Sequence, residues 1–450
     1  MKKTGNLFSW RHVINIVVPL MLQQTLDSLM GTADSIMVSM VGESSLSAVS
    51  LVDSLNLLIL MVFSALAAGG SSACAHALGQ NDRKEAAELS VQLVILLLIS
   101  SLGCTAICLV VRKSILALVF GQVEKDVMQK SITYFGITIL SYPFIALFSA
   151  LSAISRADQH STAPMMISVI GNIINIICNY FLIFINSLDV VGAALATLFS
   201  RVFCAVVMLV VATRRDTLIN FHFLSCWKFN LQKTPLLMRL SIPFGVENGM
   251  FQLGKLAVQS TVSTMGTIAI SAQALTSTLE SFNSTMAAGV GLAMIPVVGQ
   301  CLGAGKIPEA KQWVLRMTLV AEATIVLSCI LTWLPIDWLS SAANLSSLSA
   351  TLCKKMLLTI VIIKPILWAV AFVPAYGMRT AGDGRFVMIT SMVSMWCCRV
   401  ALTVFLAKTT GLGPFCVWIG MFMDWFVRAV VFSLRFRSGN WLKNALSFCT

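Results

Sequence analysis

The sequence predicts an all-α integral membrane protein: twelve transmembrane helices in two six-helix lobes related by a pseudo-twofold axis along the membrane normal. Three observations predict it. The 450 residues are 57% hydrophobic and only 11% charged, with a mean hydropathy of +0.87, whereas a soluble globular chain carries roughly 25% charged residues. The apolar residues form continuous runs, and a helix advancing about 1.5 Å per residue needs about 20 of them to cross the hydrocarbon core. The two halves of the chain also repeat one another in a single register. Unbroken runs, without alternation of apolar and polar residues, exclude a membrane β-barrel.

Taken in order, polar breaks delimit first-half spans at 13–40, 47–75, 89–111, 132–153, 164–186 and 190–212. The first holds Pro19, Asp27 and Asp34, and the second holds Asp53. The fifth holds Asn175 and Asn179, and the sixth Thr197. Residues 213–240, rich in Arg, Lys and polar side chains, read as a linker on the cytoplasmic side. Second-half spans follow at 241–264, 269–299, 317–339, 356–377, 386–407 and 413–434, dividing the chain into lobes 1–212 and 241–450. Several spans contain proline, including Pro143, Pro243, Pro296, Pro365 and Pro374. Proline leaves a carbonyl unpaired and permits a bend, which makes Pro19 a candidate hinge.

Lys and Arg set the expected orientation. Segments on the side of the N-terminus hold nineteen, among them Lys2, Lys3, Arg83, Arg156, Arg239, Arg379 and Arg435, against seven opposite, such as Lys113, Lys130 and Lys354. The positive-inside rule then puts both termini in the cytoplasm, in a multi-pass inner or plasma membrane protein. The net charge of +12 is thereby topological, not a nucleic-acid footprint. The thirteen cysteines lie mostly in or beside apolar runs, with no Cys-x-x-Cys, and read as small packing residues. His12, His76, His160 and His222 have no metal-ligand spacing. Met1-Lys2-Lys3 leads into a run without a small-residue cleavage site, so no cleaved signal is expected. No Gly-x-x-x-x-Gly-Lys-Ser/Thr, His-Glu-x-x-His or Gly-x-Ser-x-Gly occurs, which argues against an ATP-driven pump and a membrane-embedded enzyme.

The repeat runs at an offset of 224. Pro19 matches Pro243, Gly42 matches Gly266, Leu78-Gly79 matches Leu302-Gly303 and Glu85-Ala86 matches Glu309-Ala310. Chance likeness between apolar helices rarely keeps prolines, glycines and a charge in one register. Repeats of six spans start on the same side of the membrane, an arrangement transporters use to place substrate between halves.

Further motifs are specific in combination. They are Ala33-Asp34-Ser35-Ile36-Met37-Val38, Gly171-Asn172 with Asn175, and Asn179-Tyr180-Phe181-Leu182-Ile183-Phe184. Gly192-Ala193-Ala194-Leu195-Ala196-Thr197, Met378-Arg379-Thr380-Ala381-Gly382-Asp383 and Arg435-Phe436-Arg437-Ser438-Gly439-Asn440-Trp441 complete the set. With these the chain resembles the multidrug and toxic compound extrusion (MATE) family, in its NorM-like or DinF-like branches. The resemblance implies a two-lobed exporter that exchanges H⁺ or Na⁺ for small organic, usually cationic or amphipathic compounds. It needs no cofactor beyond the coupling ion, and it is expected to work as a monomer amid membrane lipid. A lipid or lipid-linked oligosaccharide flippase of the same superfamily is the alternative, and would want a cleft rich in Arg.

An ionisable side chain at the bilayer centre costs on the order of 2.5–3.5 kcal/mol on insertion scales, so each needs a reason. Asp27 and Asp34 are seven residues apart on nearly one helix face, with no base in their own span. Asp34 is the first candidate for cation coupling, because a carboxylate in a low-dielectric pocket can load and release a proton. The resemblance extends the ion-site role to Asn175, Asn179 and Thr197, which together with Asp34 can alternatively hold Na⁺. Asn179 stands where related proteins often have Asp, which weakens the sodium reading. A hydrogen-bond network that only orients helices is the competing account. Asp27, Asp53, Glu247 and Glu280 are candidates for the substrate cleft, although Lys255 can equally bridge to Glu247 or Glu280. Asp424 and Arg428, four apart, are expected to pair locally.

Overall fold

The computed structural model describes residues 7–121, 123–214, 233–343 and 346–443. Among them there is no strand. The first half comprises α1 (Trp10–Ser39), α2 (Glu43–Gly79), α3 (Arg83–Phe120), α4 (Lys125–Ile139), α5 (Tyr142–Ala157), α6 (Thr162–Asn179) and α7 (Asp189–Arg214). The second comprises α8 (Thr234–Ser263), α9 (Thr267–Gly303), α10 (Ile307–Trp333), α11 (Ile336–Ala342), α12 (Ser347–Thr380), α13 (Gly384–Ser394), α14 (Leu402–Thr409) and α15 (Phe415–Arg437). Two π-helical segments, Tyr180–Ile185 and Met395–Ala401, continue α6 and α13.

Ten of these helical stretches are long and apolar enough to cross a membrane, and α4 with α5 forms an eleventh, bent by 45°. The twelfth is α8, whose Arg239, Glu247 and Lys255 dilute an otherwise apolar 30-residue helix. Span four therefore consists of two helices. The break falls at Leu140 and Ser141, and Pro143, which lacks a backbone N–H, sits in the first turn of the new helix, where no intrahelical donor is needed. Span nine, expected at 317–339, ends instead at Trp333, where Leu334-Pro335 interrupts it before the short α11. The expected linker is shorter than 213–240 at both ends, since α7 runs to Arg214 and α8 opens at Thr234; its residues 215–232 lie outside the described part. At its end, the Lys233 ammonium lies 2.5 and 2.6 Å from Glu85 and Glu88 of α3.

The repeat is visible in the helix boundaries. Offsetting α1 and α2 by 224 residues gives the bounds of α8 and α9 to the residue. The turn before α3 has Asn81 at φ 63°, and the turn before α10 has Gly305 at φ 70°. Only Gly, and to a lesser degree Asn, enters that left-handed region at low cost. Asp82 then caps α3, accepting the Glu85 N–H at 2.9 Å.

The chain forms two compact units. One is Thr25–Gly245, and the other joins Met1–Gln24 to Val246–Thr450. The cuts fall inside α1 and α8, not in the linker, so these units differ from lobes drawn at 1–212 and 241–450. In Thr25–Gly245, α2 packs on α3, α4 and α5, and α7 packs on α4, α5 and α6. In the other unit α9 packs along α10 and α12, and α12 along α15. Its core includes the buried Trp313, Trp418, Trp425 and Trp441. Asp383, after α12, takes a two-pronged pair from Arg435 at 2.9 and 3.0 Å, and Trp441 stacks on Phe436.

Candidate functional site

Within Thr25–Gly245, a polar cavity of about 240 Å³ is bounded by α1, α2, α4, α6 and α7. Asp34, Asp53, Asn179 and Thr197 line it, together with Tyr134 and Arg201. The Asp34 carboxylate accepts the Asn179 amide N–H at 2.9 Å. The Asn175 amide, oriented to satisfy both its ends, donates to the two Asp34 oxygens at 2.8 and 3.1 Å. Spacing explains the approach: Asn175 and Asn179 are four apart on α6 and share a face. Among the described residues no base lies within ion-pair distance of Asp34. The carboxylate is held by amides alone.

Asp53, read from sequence as a cleft residue, belongs to this same cavity. It accepts from Tyr134 Oη and Asn56 Nδ2, both at 3.3 Å. Asn56 in turn accepts the Tyr142 hydroxyl at 2.7 Å. Thr197 lines the wall, with its hydroxyl donating to the Ala193 carbonyl at 3.0 Å. Arg201 lies one turn further along α7 and donates to Ser141 Oγ at 2.7 Å. Sequence reasoning missed Asn56, Tyr134 and the place of Arg201. Two local signals were available, since Asn56 is three residues after Asp53 and Arg201 four after Thr197, each pair on one face. Asp27 is not among the lining residues. It accepts from Ser168 Oγ at 2.8 Å and Asn172 Nδ2 at 2.7 Å, spanning α1 and α6.

The second unit handles charge by pairing. Arg379 reaches Glu247 at 2.5 Å. Lys364, wholly buried, lies 2.7 Å from Glu280 and also donates to its carbonyl and to Ser284 Oγ. Arg428 meets Asp424 at 2.7 Å, as the four-residue spacing predicts. Glu247 and Glu280 thus spend their charge on Arg379 and Lys364, and Lys255 bridges to neither. The bridging partners come from α12, which only the packed helices bring near. Glu322, in the middle of α10, is a further intramembrane acid that the sequence reading passed over.

A sequence profile described as MatE matches residues 19–181 and again 243–405, together well over half of the chain. The chain belongs to the MatE family. That family comprises membrane transporters, and its profile repeats at the same 224-residue offset as the internal duplication. Among relatives similar to this MatE chain is an uncharacterized transporter, YisQ, of Bacillus subtilis, 25% identical over 99% of the chain and 96% of the relative. Another is a probable multidrug resistance protein, NorM, of Thermotoga maritima, 24% identical over 97% of the chain and 94% of the relative. Among solved structures, the outward-facing conformation of a multidrug resistance MATE family transporter superposes with a TM-score of 0.90, covering 97% of this chain and 96% of that one at 20% identity.

Proposed function

We propose that this MatE protein is a secondary active exporter of small organic compounds, driven by an ion that occupies the Asp34 cavity. Relatives across nearly the whole chain are named as multidrug resistance proteins, which supports the exporter reading. The observation that carries the coupling is Asp34 itself, an acid held by two amides, with no base within ion-pair distance among the described residues. Its charge is thus available to a mobile cation instead of being spent on structure.

Size separates the two roles the cavity can serve. Drug-sized ligands occupy roughly 300–1,000 Å³, while this space is about 240 Å³. It suits a proton or a small cation better than a whole organic substrate. With Asp34, Asp53 and Arg201 ionised, two negative charges face one positive, and a single cation restores neutrality.

A proton fits the donor set better than sodium. Na⁺ needs oxygens converging on one point, whereas both asparagines turn their amide nitrogens to Asp34. Protonation converts the carboxylate from acceptor to donor. Asn179 Oδ1, buried without a partner, can take that proton's hydrogen bond after the amide rotates. Loading would thus rewire α1 against α6, and in the proposed alternating-access cycle this biases which side the protein opens to. Both termini would lie in the cytoplasm, with substrate leaving on the opposite side.

Efflux of a fluorescent organic cation from inverted vesicles, under imposed proton or sodium gradients, tests this reading. The parent should respond to the proton gradient, and Asp34→Asn should lose that response while remaining folded. Undiminished gradient-driven efflux by the variant would overturn the assignment.

A further inference from the structure

In the second unit the acids Glu247, Glu280 and Asp424 are held in ion pairs. Arg379, Lys364 and Arg428 use up Glu247, Glu280 and Asp424. Lys255 and Arg399 are left over: among the described residues neither has a carboxylate within ion-pair distance. Both sit at one ring. The Lys255 ammonium is 5.1 Å and the Arg399 guanidinium 5.4 Å from the centre of Phe251, with the neutralised Arg428 at 5.9 Å.

These two like charges, one on α8 and one on the π-helical segment Met395–Ala401, repel one another around the ring they share, and each carries the insertion cost of a charged side chain. A phenyl face offsets only part of that cost. Arg399 is 92% buried (8% exposed), and its Nε has no acceptor. Trp396 Nε1, on the same π-helical segment, is also buried without an acceptor. Lys255, by contrast, is exposed. The π-helical turn carrying Arg399 lies in span eleven, the second-half counterpart of span five, where the other π-helical turn follows Asn179. Such turns occur frequently at functional sites.

We infer that Lys255 and Arg399, flanking Phe251, form an oxyanion site that takes a carboxylate or phosphate group borne on a small aromatic or apolar body. The oxyanion supplies the missing counter-charge and the acceptors, Arg399 fixes its orientation, Lys255 closes over it, and Phe251 contacts the apolar part. This goes beyond the coupling cavity and does not need it, since the two sites lie in different units.

Equilibrium dialysis of purified protein in phosphatidylcholine nanodiscs, without any gradient, tests the site. The probes are radiolabelled 2-naphthoate and 2-naphthyl phosphate, compared with neutral 2-naphthamide and cationic 2-naphthylmethylammonium. At least one oxyanion should bind tenfold or more tighter than the amide, and the tighter of the two identifies which oxyanion the site takes. Lys255→Gln should remove that preference, Arg399→Gln likewise, and Asp34→Asn should keep it. Lys255 is exposed, so its variant carries the test if Arg399→Gln fails to elute as a monodisperse peak. Equal binding of amide and oxyanions, tighter binding of the ammonium probe, or an unchanged Lys255→Gln would overturn the inference. Loss of gradient-driven efflux in Asp34→Asn bears on the coupling site alone.

Discussion

Lys364 makes three hydrogen bonds from a fully buried ammonium, to the Glu280 carboxylate, the Glu280 carbonyl and Ser284. Removing one partner of such a pair strands the other charge, which costs about 3–5 kcal/mol. Lys364→Met should therefore lower unfolding stability in detergent by about that amount, and Lys364→Met with Glu280→Leu should recover most of it. Asn179 offers the opposite kind of test. Its amide already lies 2.9 Å from Asp34, so Asn179→Asp places two carboxylates together and supplies oxygens that a sodium ion can use. Efflux by that variant should become responsive to an imposed sodium gradient. Much of this cavity was legible in the sequence. Helical spacing alone put Asn175 and Asn179 on one face, and an acid without a base in its own span marked Asp34. Tyr134 was not legible as a partner of Asp53, because α2 and α4 meet only through packing, whereas Asn56, three residues along the same helix, was within reach of the spacing rule. The partners of Glu247 and Glu280 were hidden for the same reason: Arg379 and Lys364 are distant in sequence and come near only through the packing of α12.

At the level of helices, glycine spacing decides how closely α6 and α7 approach. A Cβ built on Gly171 would stand 2.1 Å from Cys204 Sγ, whereas one on Gly103 meets nothing within 4 Å. Overpacking of this kind costs about 1–3 kcal/mol. Gly171→Val should lose that much stability and disturb the neighbouring Asn175 face, and adding Cys204→Ala should return part of the loss. Gly103→Ala should be neutral or slightly stabilising, which controls for helix propensity. Thermal unfolding of the three variants beside the parent checks the pattern. Twelve spans were readable from apolar runs, but their ends were not. Helices α2 and α3 exceed the predicted 47–75 and 89–111 because polar and charged ends such as Glu43 and Arg83 remain helical beyond the apolar run. Proline explains two further differences, at Pro143 and Pro335.

For the whole molecule, the duplicated order of helices was legible because a repeat preserves register: proline, glycine and glutamate recur at one offset. The division into compact units was not. Composition marks 213–240 as a linker, yet the chain leaves one unit between Gln24 and Thr25 and returns between Gly245 and Val246, inside continuous helices. Each crossing follows a proline in the repeat, Pro19 in α1 and Pro243 in α8. A proline within a helix removes one backbone hydrogen bond and crowds the preceding turn, at a cost of about 3 kcal/mol. A sequence that keeps this weakness just before α1 changes units gains a place to bend. Asp34 lies on the far part of the same helix, so the proposed ion loading and a bend at Pro19 would share one element. Pro19→Ala restores the helical hydrogen bond and should leave the protein as stable or more stable to heat, while slowing gradient-driven efflux. The combination matters, since a purely structural proline would change stability without changing turnover. Efflux at the parental rate by a well-folded Pro19→Ala protein would separate the hinge from the transport cycle.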